Sequence, residues 1–305
     1  MNAVTRKPRK QAAFLNIACG GVGRLATIER RKREQAIGVD IPEQTIILDT
    51  APIEDTNELH LQLPLNEMIV NLLSGNRNRF GKSTSRILRA LETGHRLETD
   101  QIQHGARTIR SITQLAMLYY RTRLLDVIEV GIERLLRKYA PKTIVPFIYS
   151  SSGGGSGSGL QIGVPDDLSR TISRQRILTG LSKGILERPI SMVVEPISYS
   201  KKAAVDHGDA ILANSYAFRI ESEALLQQSK IQTVFHIGYS NSEAIVLKEA
   251  KLAARVMAET IVELQRSYND FKDRWVDSRG FAAGRKANVE NSIDSRIPHL
   301  VRKRG

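Results

Sequence analysis

The sequence predicts an α/β protein with a doubly wound, mainly parallel sheet, a long central helix and a short basic tail. Three observations predict it. Apolar, β-branched runs alternate with helix-period segments about five times along the 305 residues. The runs end in small polar or glycine-rich turns, as buried parallel strands do at their C-terminal ends. One of them, Thr143–Ile148, enters the densest glycine stretch of the chain, Gly153-Gly154-Gly155-Ser156-Gly157-Ser158-Gly159.

Residues 1–12 carry Arg6, Lys7, Arg9 and Lys10 and read as a disordered basic N-terminus. Phe14–Ala18 reads as a strand, Cys19–Arg24 as a tight turn, and Leu25–Gln35 as a helix. Thr45–Thr50 reads as a second buried strand, residues 51–65 as loop, and Met68–Leu73 as a short apolar segment. Helical periodicity covers 83–98 and 106–138, the latter through Ile109, Ile112, Leu115, Tyr119, Leu124, Ile128, Ile132 and Leu135. Strands follow at Ile190–Pro196 and Ile231–Tyr239, with helices at Ser169–Lys183 and Asp206–Gln228. Glu243–Gln265 is the most regular helix, and its apolar positions occupy more than one stripe, so it is expected to pack on several sides. Residues 269–276 are expected to end it. The reading divides the chain into 1–12, a binding domain over 13–242, the central helix with its following loop over 243–276, and a poorly ordered basic tail over 277–305.

Apolar content of 41% and charged content of 25% allow a sizeable core, mostly aliphatic because aromatics are only 5%. No apolar stretch approaches the roughly 20 residues that span a bilayer. A single cysteine, Cys19, excludes an internal disulfide and suits a reducing compartment, so a cytoplasmic location is expected. The net charge of +13 calls for an acidic partner: nucleic acid, an anionic membrane, a nucleotide or an acidic protein adaptor. The six histidines are scattered without metal-ligand spacing, and His236, inside a strand, is expected to be buried and paired.

The glycine turns carry the chemistry. A turn stripped of side chains lets backbone N–H groups close on an anion, and phosphate is the usual guest. Composition alone also allows a flexible Gly/Ser linker at 153–159, but a linker joins polar edges, whereas this run leaves a buried strand. Gly20, Gly21 and Gly23, with Arg24, form either a second such turn or one that only packs a helix close to its strand. It meets neither the G-x-G-x-x-G nor the Walker A spacing, which argues against a Rossmann dehydrogenase. Asp49 ends the second strand, either as a ligand for ribose or magnesium-bound water or as a turn cap. Gly75, Asn76 and Asn78 lie in a small, basic segment that either donates to a terminal phosphate or is a solvated loop.

These residues resemble the tubulin/FtsZ superfamily. Gly153–Gly159 matches its G-G-G-T/S-G-T/S-G signature at every position, Gly20–Gly23 resembles its first loop, Asp49 its acid after the second strand, and Gly75–Gly81 its third loop. Gly105–Arg110 and Ala213-Asn214-Ser215-Tyr216-Ala217 look most like the bacterial tubulin-like branch. Asn241 sits where the family reads guanine. Asp270-Phe271-Lys272-Asp273 resembles the Asp-x-x-Asp loop, whose acids act on the nucleotide of the next subunit.

The resemblance implies a GTPase that binds GTP/GDP with Mg2+, polymerises head-to-tail with itself, and completes hydrolysis through the neighbour's Asp270 and Asp273. It covers 13 to about 275. The asparagine before Asp270 stands one residue closer than in the family, the family's ribose-binding glutamate falls near Ser200, and a full C-terminal domain is expected to be missing or reduced. The alternative is a non-hydrolysing nucleotide-dependent scaffold or adaptor that docks on DNA or anionic membrane through its basic segments.

Overall fold

A computed structural model describes residues 12–53, 56–73, 106, 109–179, 185–195, 201–238 and 250–276. Among the described residues six strands form one fully parallel sheet: β1 (Ala12–Cys19), β2 (Glu43–Asp49), β3 (Leu59–Gln62), β4 (Thr143–Ser151), β5 (Ile190–Val194) and β6 (Thr233–Ile237). Their spatial order is β3-β2-β1-β4-β5-β6. The helices are α1 (Gly20–Ile37), α2 (Leu65–Leu73), α3 (Arg110–Tyr119), α4 (Arg121–Tyr139), α5 (Gly155–Thr179), α6 (Lys201–Gln227) and α7 (Ala250–Val276).

The strand parity of β1 shows why the sheet is doubly wound. Ala13, Leu15, Ile17 and Cys19 face one core, shared with α2, α3, α4 and α5. Ala12, Phe14 and Ala18 face the other, shared with α1 and α7. A strand buried on both faces must be apolar at nearly every position, which is why β1 and β4 read as continuous runs. Asn16 is the exception, and its amide is satisfied on both sides: it donates to Glu43 at 2.6 Å and accepts from Gln265 of α7 at 2.7 Å. Beside it the fully buried Arg30 of α1 pairs with Glu34 at 2.8 Å and with Glu43, and donates to Thr45 at 2.7 Å. A buried guanidinium is tolerated only when its charge is matched this closely.

The crossovers explain where a ligand can sit. From β1 the chain moves one way along the sheet through α1; from β4 it moves the other way through α5. Right-handed crossovers in opposite directions put the two helices on opposite faces. A crevice therefore opens at the C-terminal ends of β1 and β4, the point where the strand order reverses.

Several boundaries differ from the sequence expectation. Residues 51–65 are not all loop, because Leu59–Gln62 forms β3. This edge strand is short and half-exposed, so it lacks the apolar run that marks its neighbours. The predicted helix over 106–138 is two helices, broken at Tyr120. The helix expected from Ser169 begins at Gly155, inside the glycine run, and carries Pro165 in its interior. Finally, Asn269–Val276 does not end the central helix: α7 runs through Val276. No glycine or proline interrupts those positions, so nothing in them stops a helix. Asp270 and Asp273 therefore lie on the last turns of α7 and not on a loop after it. The expectation of a helix packed on several sides holds: Ala253, Ala254, Met257, Ala258, Ile261 and Val262 are all fully buried.

The predicted helix at 83–98, positions 243–249, and the basic segments 1–11 and 277–305 lie outside the described residues. So do Gly75, Asn76, Asn78, Ser200 and Asn241. Among the described residues no helix is long and apolar enough to cross a membrane.

Candidate functional site

The two glycine turns meet at the crevice. Gly20 has φ +69°, a left-handed conformation that glycine alone adopts at no cost. A Cβ built on it would stand 2.7 Å from the Gly157 amide nitrogen and 3.0 Å from its Cα. The two backbones thus touch, and only glycine lets them. Gly157 is tight in return: its own Cβ would lie 3.1 Å from the Cys19 carbonyl oxygen.

The remaining glycines sort by what surrounds them. At Gly23 a Cβ would meet the Tyr149 carbonyl oxygen at 2.8 Å, so this glycine seats α1 against β4. At Gly159 it would meet Thr113 at 2.9 Å, so this one seats α5 against α3. Gly21 is different: it is exposed, and among the described residues nothing lies within 4 Å of its Cβ position. Gly154 and Ser156 are also partly accessible, while Gly153, Gly155 and Ser158 are buried. The open side of the cradle is therefore Gly21, Gly154 and Ser156, and the rest of the glycines build it.

The electrostatics favour an anion. α1 and α5 both begin at these turns and have no acidic residue in the first turn. Cys19, the N-cap of α1, supplies no side-chain cap, so the first N–H groups are left for another acceptor. Two helix N-termini with their partial positive charge point to one place. Burial, with Asp49 beside it, pushes the Cys19 thiol far up, so it stays neutral.

Asp49 is buried beneath the turns and accepts hydrogen bonds from the Thr50 and Ala51 amides at 2.8 and 3.2 Å. The turn-cap arrangement is thus present. Burial pushes its carboxyl up, and the Ala51 amide and the Arg24 charge oppose the shift. The neighbouring Thr50 hydroxyl meets the Ser156 hydroxyl at 2.5 Å and accepts from the Ala106 amide at 2.9 Å. This joins the ends of β2 and β4 to the segment before α3. Arg24 donates to the Pro52 carbonyl at 3.0 Å, which ties α1 to the same loop.

A second polar group flanks the cradle at the ends of β4, β5 and β6. Glu195 accepts from Ser215 at 3.3 Å and from Ser152 at 3.5 Å, and pairs with His236 at 2.6 Å and Arg219 at 3.0 Å. His236 is therefore paired, as its strand position implies, but it is only partly buried, because β6 is an edge strand. Asn214 donates to the Gly153 carbonyl at 3.0 Å, which holds α6 against the main glycine turn. Glu195 and Ser152 were not picked out by sequence reasoning. The rule that found Asp49, an acid directly after a buried strand, also marks Glu195.

Burial alone would push the Glu195 carboxyl up, but the hydrogen bonds and charges of His236 and Arg219 outweigh it and hold it low. The unfolded carboxyl titrates at its ordinary value, so ionised Glu195 stabilises the fold above that pH. The contribution is lost as pH falls through the folded value. Glu195→Gln is expected to lower Tm at pH 7 by about 2–4 °C, the equivalent of about 1 kcal/mol, and to flatten the acid limb of a Tm-versus-pH series. An acid limb identical to that of the parent chain would contradict this.

The residues present fit the phosphates of a nucleotide, since the cradle offers backbone donors and no competing carboxylate in either first turn. For Mg2+, no group of three or more His, Cys, Asp or Glu side chains among the described residues forms a metal cage. The hydroxyls of Thr50 and Ser156 and the Asp49 carboxylate are donors that suit an ion held chiefly by phosphate oxygens.

No family model matches this sequence, and no curated protein matches it. Among solved structures, the chain is similar to CetZ from Methanosaeta thermophila, with 13% identity and a TM-score of 0.51, over 86% of this chain and 57% of that one. It is also similar to CetZ2 from Haloferax volcanii, described as a GTPγS-bound protofilament, with 11% identity and a TM-score of 0.48, over 84% of this chain and 59% of that one. The chain thus spans less than two thirds of the length of either.

Proposed function

From the tubulin/FtsZ-type fold it shares with CetZ, we propose that this chain binds GTP and GDP between its two glycine turns and self-associates head-to-tail. The observation that carries the reading is the backbone contact between Gly20 and Gly157, which brings the N-termini of α1 and α5 together at the reversal point of the sheet. In this reading the Gly21 and Gly154–Ser156 segments hold the phosphates, and Mg2+, held by Thr50, Ser156 and Asp49 with the phosphates, supplies charge neutralisation. Asn241 reads the base, and Gly75, Asn76 and Asn78 close over the terminal phosphate.

The chain is a GTPase in which, among the described residues, the cradle's part is to hold the phosphates and not to move a proton. Asp270 and Asp273 of the next subunit orient the attacking water, which makes hydrolysis depend on assembly. Calorimetric titration of the purified chain with GTP, GDP and ATP tests the reading. Micromolar binding of both guanine nucleotides, with ATP at least tenfold weaker, is expected. No binding of either guanine nucleotide at micromolar concentration would overturn it.

A further inference from the structure

The outward face of α6 carries an unused feature. Gly208, Leu212, Tyr216 and Ile220 stand four residues apart and form one ridge along the helix. Leu212, Tyr216 and Ile220 are 62%, 69% and 53% exposed, more than almost any other large apolar residue described. Opposite them, Ile211, Ser215, Phe218, Ser222 and Leu225 form the buried face. Among the described residues nothing lies within 4 Å of the Gly208 Cβ position, so no described contact accounts for a glycine there. Glycine weakens a helix interior, and its common reason is the close approach of another backbone.

We propose that this ridge docks against the same ridge of a second copy, with the two α6 helices antiparallel. The occupant follows from self-complementarity. When Leu212 of one copy faces Tyr216 of the other, Gly208 faces Ile220, so the bulky residue enters the space the glycine leaves. In the same register Asp209 faces Arg219, an opposite-charge pair made twice. Asp209 is exposed, and Arg219 is half-exposed while one of its nitrogens pairs with Glu195. Ridges of this spacing interlock at a crossing angle of roughly −50° with axes about 8–10 Å apart.

α6 runs beside the sheet as a crossover helix between β5 and β6. Its inner side turns Asn214 and Ser215 toward Gly153 and Glu195 at the strand ends, so the ridge on the opposite side looks away from the glycine turns. The contact is lateral and distinct from a head-to-tail one, and it needs no nucleotide. One helix pair buries less than the roughly 1,200 Å² of a standard stable interface. It is therefore a weak contact that gains strength when several copies are already held in a row.

The test uses the full chain without nucleotide. Gly208→Cys and Ile220→Cys are made separately, with the native Cys19 buried and left in place. A short bismaleimide is expected to join the mixture of the two variants at least tenfold more than either variant alone. Identical positions would lie about 18 Å apart along the helix pair, from 12 residues at 1.5 Å each. Sedimentation equilibrium is expected to show a reversible dimer whose Kd rises at least tenfold in Leu212→Glu. A mixture that cross-links no better than the single variants overturns the proposal. So does an oligomer that persists unchanged in Leu212→Glu, which would leave head-to-tail contacts as its cause.

Discussion

Gly20→Ala is expected to cost at least 100-fold in GTP affinity and to lower Tm by roughly 5–10 °C. Two effects add. A non-glycine residue held at positive φ costs about 1–3 kcal/mol, and Gly20 sits at +69°. The new methyl also has backbone, not a movable side chain, in its way: the Gly157 nitrogen is 2.7 Å from the Cβ position. The turns must separate, and the two helix N-termini then no longer converge on one group. Gly21→Ala is the matched control. Its Cβ has room and its φ is ordinary, so Tm should stay within about 2 °C while affinity falls about tenfold, because the methyl enters the open side of the cradle. Thermal melts and calorimetry on the two variants separate building the cradle from touching the ligand. If both bind GTP like the parent chain, phosphates do not sit at these turns.

Asp270→Ala and Asp273→Ala are each expected to lower GTP turnover about 100-fold, the lower range for removal of a group that handles the attacking proton, with GTP affinity within twofold. The separation follows from the proposed function, in which the acids at the end of α7 would serve another subunit's nucleotide. Mixing is the sharper measurement. Asp270→Ala holds nucleotide well and lacks an acid; Gly21→Ala keeps the acids and holds nucleotide poorly. An equimolar mixture at GTP concentrations below the Kd of Gly21→Ala should turn over faster than the sum of the two alone. If the mixture is merely additive, the acids do not act across a contact. If turnover is unchanged in both single variants, the catalytic role is lost while nucleotide binding stands.

Both sets of variants rest on features that were unequally legible in the sequence. β1 and β4 announce themselves because burial on both faces leaves a continuous apolar run, and their glycine turns stand out for the same reason. Leu59–Gln62 does not, since a half-exposed edge strand has no such constraint. Gly155–Gly159 reads as turn because glycine disfavours helix, yet it forms the first turn of α5. The close approaches of Gly157 to Cys19 and of Gly159 to Thr113 override the local preference. At the site, Asp49 was visible as an acid after a strand. The group of Ser152, Glu195, Ser215 and His236 was not, because it is assembled from four separate segments that only the sheet order brings together. The end of α7 shows the converse. A resemblance to a loop motif suggested that residues 269–276 end the helix, whereas they carry no stop signal.

The most direct test of the central claim is hydrogen exchange of the backbone amides with and without GTP. Phosphates held by backbone donors should slow exchange at 20–24 and 153–158, with smaller changes on the sheet edge at β6 and along α4. GTP that binds while these two segments exchange at their unliganded rates would contradict the account.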